Sequence, residues 1–475
     1  MSEFDSCRAS AQAIAAAVAK GEITAAAVIE AALMRIAGLN AKLNAFTDVL
    51  AARARATAAA IDAARARGAP LGPLAGVPFA VKNLYDIAGL VTRAGAKINR
   101  DAAPAEADAY VIRRLEAAGA VLVGALDMDE YAYGFTGENI HDGASRNPHD
   151  PRHMTGGSSG GSAAAAASGM VTFTLGSDTN GSVRVPASLC GLFGLKPTYG
   201  RLSRQGLFPF VASLDHVGLF ARSAGDLALV YDAMQGDDPA DPVCVGRGIE
   251  PVVPYLNIGT NGLRIAVAGD YFRRGGTLEA YAAVDRLAAA LSAQREVILP
   301  EAQRARAAAY LITAAEGAAF HRVRLQTRAA DFDPAVRDRL FAGAMIPAGT
   351  ILMAQKFRAW FQAKVRAMFA DVDVILAPAT PCRAPRSGQK LMWLDGKEVP
   401  VRADLGIYTQ PISFIGLPVC TVPVWTQGET LPIGVQLIGP PWREDLVLRV
   451  AQTLETRGLV QAPVAKDAAL AATPP

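Results

Sequence analysis

Between residues 156 and 182 the chain carries two glycine-framed serine clusters inside sequence that otherwise reads as core. They are Gly156-Gly-Ser-Ser-Gly-Gly-Ser162 and Gly176-Ser-Asp-Thr-Asn-Gly-Ser182. Glycine and serine clusters commonly mark flexible linkers. Here the first cluster runs straight into Ala163-Ala-Ala-Ala-Ala167 and then the apolar Met170-Val-Thr-Phe-Thr-Leu175. A linker is not normally wedged between buried elements, so these glycines read as tight backbone geometry around the serine side chains. Ser158 and Ser182 stand 24 positions apart, and upstream a lone lysine, Lys82, ends the apolar run Gly76-Val-Pro-Phe-Ala-Val-Lys82.

The surrounding pattern predicts an α/β chain. Residues 8–65 are alanine-rich, with apolar positions at helical spacing around Val28, Leu33 and Ile36. From Leu71 the pattern changes. A buried strand ends at Lys82, a helix covers 108–118, and a second strand follows at Val121-Leu-Val-Gly124. That alternation is the βα signature of a mostly parallel sheet. Further strands are expected at 171–175, 374–377, 420–424 and 433–438, and helices at 280–292, 305–327, 354–369 and 446–456. Residues 236–262, rich in Asp, Pro and Gly, read as a loop or insertion. The strands that resume near the C-terminus favour one sheet completed late over separate units. The expected organisation is an N-terminal helical layer over 1–65, joined in one compact unit to a catalytic region over 66–462, with a flexible tail over 463–475.

Composition removes several classes of partner. With 51% hydrophobic residues in 475, the chain can bury a large core. Its 47 basic and 44 acidic side chains leave a formal net charge of +3, which favours neither a nucleic-acid polyanion nor an anionic membrane. The five cysteines are scattered with no C-x-x-C pair, so free thiols in a reducing compartment are expected rather than disulfides or a zinc site. No run of 18 apolar residues occurs, and the start Met1-Ser-Glu-Phe-Asp-Ser6 lacks the basic and apolar regions of a signal peptide. A soluble cytoplasmic protein is the expectation.

A serine nucleophile needs a base. Of the five histidines, His149 and His153 flank a proline, which breaks helical metal-ligand spacing. Gly157-Ser-Ser-Gly-Gly161 formally matches a nucleophile elbow and would nominate Ser159, but the proline-bearing residues 147–153 cannot be the central strand that an elbow follows. No Lys-Ser/Thr pair follows the glycines, so the cluster is not a phosphate loop. Lysine remains. At the end of a buried strand Lys82 loses hydration of its charged form, and a neutral lysine can serve as the base of a Ser–Lys pair. Taken singly, a strand-end lysine and turn serines remain ordinary alternatives.

Lys82, the two glycine–serine blocks with the following Val183-Arg-Val-Pro-Ala187, Gly194-Leu-Lys-Pro-Thr-Tyr-Gly200 and Ser213-Leu-Asp-His-Val-Gly218 together resemble the amidase signature family, from about residue 8 to 458. The resemblance implies the amidase-signature fold, a large mixed and mostly parallel sheet covered by helices on both faces. It also implies a Ser-cisSer-Lys triad of Ser182, Ser158 and Lys82, with a cis peptide at Gly157–Ser158. Backbone N–H groups of Thr179, Asn180, Gly181 and Ser182 would form the oxyanion site; Asn180 stands where the family often has glycine. Asp178 and Arg184 would hold that loop. The block Asp127–Asn139 lies where the family walls its substrate pocket, which nominates Tyr131.

Within the family, this block and Phe208–Asp215 are most similar to members that act on small, carboxylate-bearing amides beside a small helical partner protein. The implied substrate is a carboxylated urea or biuret derivative that releases ammonia; the alternative is a glutaminase or transamidase component of a tRNA-dependent amidotransferase. Binding a carboxylate calls for an arginine fork. Among Arg322, Arg324, Arg328, Arg337, Arg339 and Arg358, position relative to the family favours Arg339. No cofactor and no metal are implied. The resemblance does imply a homodimer, or a heterotetramer with a small helical accessory subunit.

Overall fold

The computed structural model describes residues 4–244 and 246–466. Eleven strands form one sheet among the described residues. In chain order they are β1 (Phe46–Val49), β2 (Pro78–Lys82), β3 (Val121–Leu126), β4 (Phe173–Asp178), β5 (Phe193–Lys196), β6 (His216–Ala221), β7 (Ile265–Ala268), β8 (Arg295–Val297), β9 (Val374–Pro378), β10 (Val419–Val424) and β11 (Ile433–Ile438). Across the sheet they run β1-β3-β2-β4-β6-β5-β10-β11-β9-β7-β8. The mixed α/β sheet expected from the sequence is present. Its parallel pairs fall in two blocks, β3-β2-β4 around Lys82 and β9-β7-β8 at the far edge, and an antiparallel run joins them.

Every residue of β2, β3, β4, β6, β10 and β11 is buried, which requires cover on both faces of the sheet. Two short helices, Gly160–Ala167 and Arg184–Cys190, are themselves buried at every position. Alanine, serine and glycine let them lie close against the strands, and this is why an alanine run follows the first glycine block. One hydrophobic cluster extends from Ala11 to Val460, so the N-terminal helices Ala11–Lys20 and Ala25–Leu43 share the core of the catalytic region.

The N-terminal segment is not wholly helical: β1 pairs antiparallel with β3 at the sheet edge. Strands β5 to β8 were not expected either. The helix read over 305–327 is two, Ala302–Phe320 and Arg322–Arg328, interrupted at His321. Residues 236–262 do form an irregular connection, with one short 3-10 turn at Val253–Ile258. Of the expected tail, Ala465 is packed and donates its N–H to Ala167 O at 2.9 Å; residues 467–475 lie outside the described residues.

Candidate active site

Strands β2 and β4 run parallel and deliver Lys82 and Asp178 at their carboxyl ends, the edge where open α/β sheets place ligands. Lys82 is fully buried. Its Nζ lies 2.7 Å from Ser158 Oγ and 2.9 Å from Ser177 Oγ. Burial pushes the ammonium down from 10.5 to about 7, against the opposing charges of Asp129, Asp215 and Asp178. None of those three carboxylates touches Lys82. Asp129 accepts from Gly137 N at 2.8 Å, Asp215 from Thr179 Oγ1 at 2.6 Å, and Asp178 is bound to Arg184. The lysine therefore meets hydroxyls and no salt-bridge partner, the setting in which it can be neutral near pH 7.

The peptide bond Gly157–Ser158 is cis. Gly157 is required by close approach: a Cβ there would stand 2.4 Å from Asp129 Oδ1 and 2.7 Å from Gly137 N. Ser159 faces β4, with its Oγ 3.3 Å from both the O and the N of Ser177. It is a structural contact and stands apart from the lysine.

Ser182 sits on the loop that leaves β4. Gly181 in that loop has φ +138°, and a Cβ on it would collide with Thr409 Oγ1 at 2.1 Å. Among the described residues, the N–H groups of Thr179, Asn180, Gly181 and Ser182 meet no protein acceptor. The loop is fixed from below by Asp178 and Arg184, both fully buried. Arg184 donates Nε and Nη2 to the two Asp178 oxygens at 2.9 Å, Nη1 to Gln436 Oε1 at 2.8 Å and Thr409 O at 3.1 Å, and Nη2 also to Ser413 Oγ. Burial alone would raise the Asp178 carboxyl; the guanidinium outweighs it and holds the group well below the usual carboxylate range. Asp178 Oδ2 also accepts from Val183 N at 3.3 Å, so the ion pair is built into the turn that carries Ser182.

Ser182 opens into a cavity of about 390 Å³ that it shares with Asn180, Tyr133, Tyr310, Arg339 and Arg402. A second cavity of about 670 Å³ shares Ala132, Thr179 and Phe210 with the first and reaches Ser177. Arg339 thus lies where the sequence pointed. Tyr131 does not line the Ser182 cavity: it is buried behind Phe208 and His321, with its hydroxyl 3.1 Å from Asn99 Oδ1. Its backbone has φ +50°, which turns the side chain out of the wall and leaves Tyr133, two residues on, to face the cavity. The other arginine candidates, Arg322, Arg324, Arg328, Arg337 and Arg358, are absent from the lining of this cavity. Sequence reasoning missed Ser177, Asp129 and Arg402. Ser177 lay in plain view inside the second glycine–serine block; Arg402 sits in a segment with no motif.

The chain belongs to the amidase family, whose model matches residues 27–448, and it is an amide-hydrolysing enzyme by that membership. It is 52% identical to AtzE, the 1-carboxybiuret hydrolase component of Pseudomonas sp. (strain ADP), over 94% of this chain and 97% of that protein. It is 38% identical to the amidase-family component of the glutamyl-tRNA(Gln) amidotransferase of Anaeromyxobacter sp. (strain K), over 94% and 96% of the two chains. A solved structure, described as a vestigial protein complex revealing the evolutionary origins of an s-triazine catabolic enzyme, superposes with a TM-score of 0.95. It is 51% identical and covers 96% of this chain and 100% of that one.

Proposed function

We propose that the enzyme hydrolyses the terminal amide of a small carboxylated urea or biuret derivative, of the 1-carboxybiuret kind, and releases ammonia. The observation that carries the chemistry is the buried Lys82 Nζ, 2.7 Å from Ser158 Oγ with no carboxylate in contact. Neutral Lys82 accepts the Ser158 hydroxyl proton as Ser158 takes the proton of Ser182. Ser182 Oγ then attacks the amide carbonyl, and the developing oxyanion meets the free N–H groups of residues 179–182. One such donor contributes on the order of 10²–10³ in rate. The relay runs back to protonate the departing nitrogen, which leaves as ammonia. Water then attacks the Ser182 ester by the same route, giving a carboxylate and regenerating the serine.

The substrate reading is supported by the 52% identity and by two guanidinium groups on the cavity that Ser182 lines. A small helical accessory protein fits the exposed row Met353, Trp360 and Lys364 on helix Ala348–Met368. That helix contains no acidic residue, so its basic, apolar face suits an acidic amphipathic helix. The cytoplasm is the proposed setting, in keeping with five free cysteines.

The test is ammonia release from biuret derivatives, malonamate, glutamine and simple aliphatic amides, by the chain alone and with any co-purifying small protein. The Ser182→Ala variant is the control. Carboxylated ureides are expected to turn over fastest and the variant to be inactive but folded. Preferred glutamine turnover would favour the transamidase reading that the 38% identity raises, and an active Ser182→Ala would overturn the mechanism.

A further inference from the structure

Three polar atoms of the residues lining the Ser182 cavity are buried and have no hydrogen-bond partner: Arg402 Nε, Asn180 Oδ1 and Tyr133 Oη. More than nine in ten buried polar groups are paired, so three orphans around one cavity require an explanation. A donor cation, an acceptor and a hydroxyl around the same space form a complementary set for a ligand that carries both an anion and N–H groups.

The two arginines of the cavity are not equivalent. Arg339 is consumed by the protein: Nε donates to Ala335 O at 2.8 Å, Nη2 to Tyr133 O at 2.5 Å, and the guanidinium lies 3.8 Å from the Tyr133 ring centroid. It props up the wall that Tyr133 forms. Arg402 makes one bond, from Nη2 to Asp333 Oδ2 at 3.2 Å, and its Nε–H points at no protein acceptor. On the loop after β4, the Asn180 amide is anchored by its Nδ2 on Thr313 Oγ1 at 3.0 Å, which leaves Oδ1 open. Thr409 Oγ1 holds the Asn180 carbonyl at 2.7 Å, so the residue cannot swing away.

We infer that Arg402 is the carboxylate anchor of the substrate subsite, that Asn180 Oδ1 accepts a ureide N–H, and that Arg339 is a positioning residue for Tyr133. This rests on the proposed function and names the residues that set its specificity. Arg402 belongs to the short helix Val401–Asp404 and not to the loop whose peptide N–H groups receive the oxyanion. It therefore binds the remote end of the substrate and touches no reacting atom. Its effect is expected in KM more than in kcat.

The experiment compares malonamate with malonamide, its neutral counterpart of similar size, in wild type, Arg402→Gln, Arg402→Lys and Arg339→Gln. In Arg402→Gln the ratio of kcat/KM for malonamate to that for malonamide is expected to fall by on the order of 10–100-fold, chiefly through KM, the size of one lost charge-assisted pair. Arg402→Lys, which keeps the charge and loses Nε, should fall in between. Arg339→Gln should depress both substrates together. A wild-type enzyme with no preference for malonamate would overturn both this inference and the proposed function. A preference that persists in Arg402→Gln and Arg402→Lys, or that collapses only in Arg339→Gln, overturns this inference alone.

Discussion

Replacing Lys82 by methionine is expected to abolish activity and to raise stability at neutral pH. Burial lowers the lysine from 10.5 to about 7. At about 1.4 kcal/mol for each tenfold change in proton affinity, the folded state forgoes about 5 kcal/mol at pH 7 relative to a chain with a solvated lysine. Methionine is apolar, similar in length and flexible enough to follow the same path. It loses the contacts to Ser158 and Ser177, worth about 1 kcal/mol each. The net gain at pH 7 is then about 3 kcal/mol.

The sign follows from proton counting. Between pH 7 and 10.5 the unfolded chain holds a proton on Lys82 that the folded chain lacks, so wild-type stability rises with pH across that window. The methionine variant lacks that rise. Its advantage should shrink as pH increases and reverse near pH 10.5, where the lysine is neutral in both states. Denaturant unfolding of both proteins at neutral and at strongly alkaline pH measures the difference, and titrations common to the two cancel. A variant equally destabilised at both pH values would refute the claim that burial neutralises this lysine, and with it the assignment of Lys82 as the base.

The same group predicts the rate profile. Ammonia release should fall as pH drops through about 7 and Lys82 acquires its proton, and a rate that stays flat into the acid range would count against a lysine base. Arg184→Met strands the Asp178 carboxylate in a fully buried site and should cost about 3–5 kcal/mol. Asp178→Asn combined with Arg184→Met should recover part of that loss, and a double variant no more stable than the single one would show that the pair acts through something other than charge.

The reactive end of the site was legible because its requirements are local. Lys82 had to end an apolar strand, Ser158 had to sit among glycines where Asp129 and Gly137 leave no room for a Cβ, and Gly181 had to adopt a φ that other residues rarely reach. Such constraints restrict residue type at fixed spacing, and they are written into residues 156–182. Strands such as β7 and β8 were not legible. They are four and three residues long, and what makes them strands is the neighbour they pair with, β7 with β9 and β8 with β7.

Sequence alone therefore determined the class of chemistry and which serines and lysine could perform it, because backbone geometry and burial of a strand end are short-range properties. The tertiary structure decided which side chains form the substrate wall. Tyr131 and Tyr133 are two residues apart in one loop, yet a left-handed backbone turn buries the first and exposes the second to the cavity. Arg339 and Arg402 meet across 63 positions of chain, and only the carbonyls of Ala335 and Tyr133 distinguish the bound fork from the free one. Contacts between residues so far apart in sequence arise from packing, and no spacing rule encodes them.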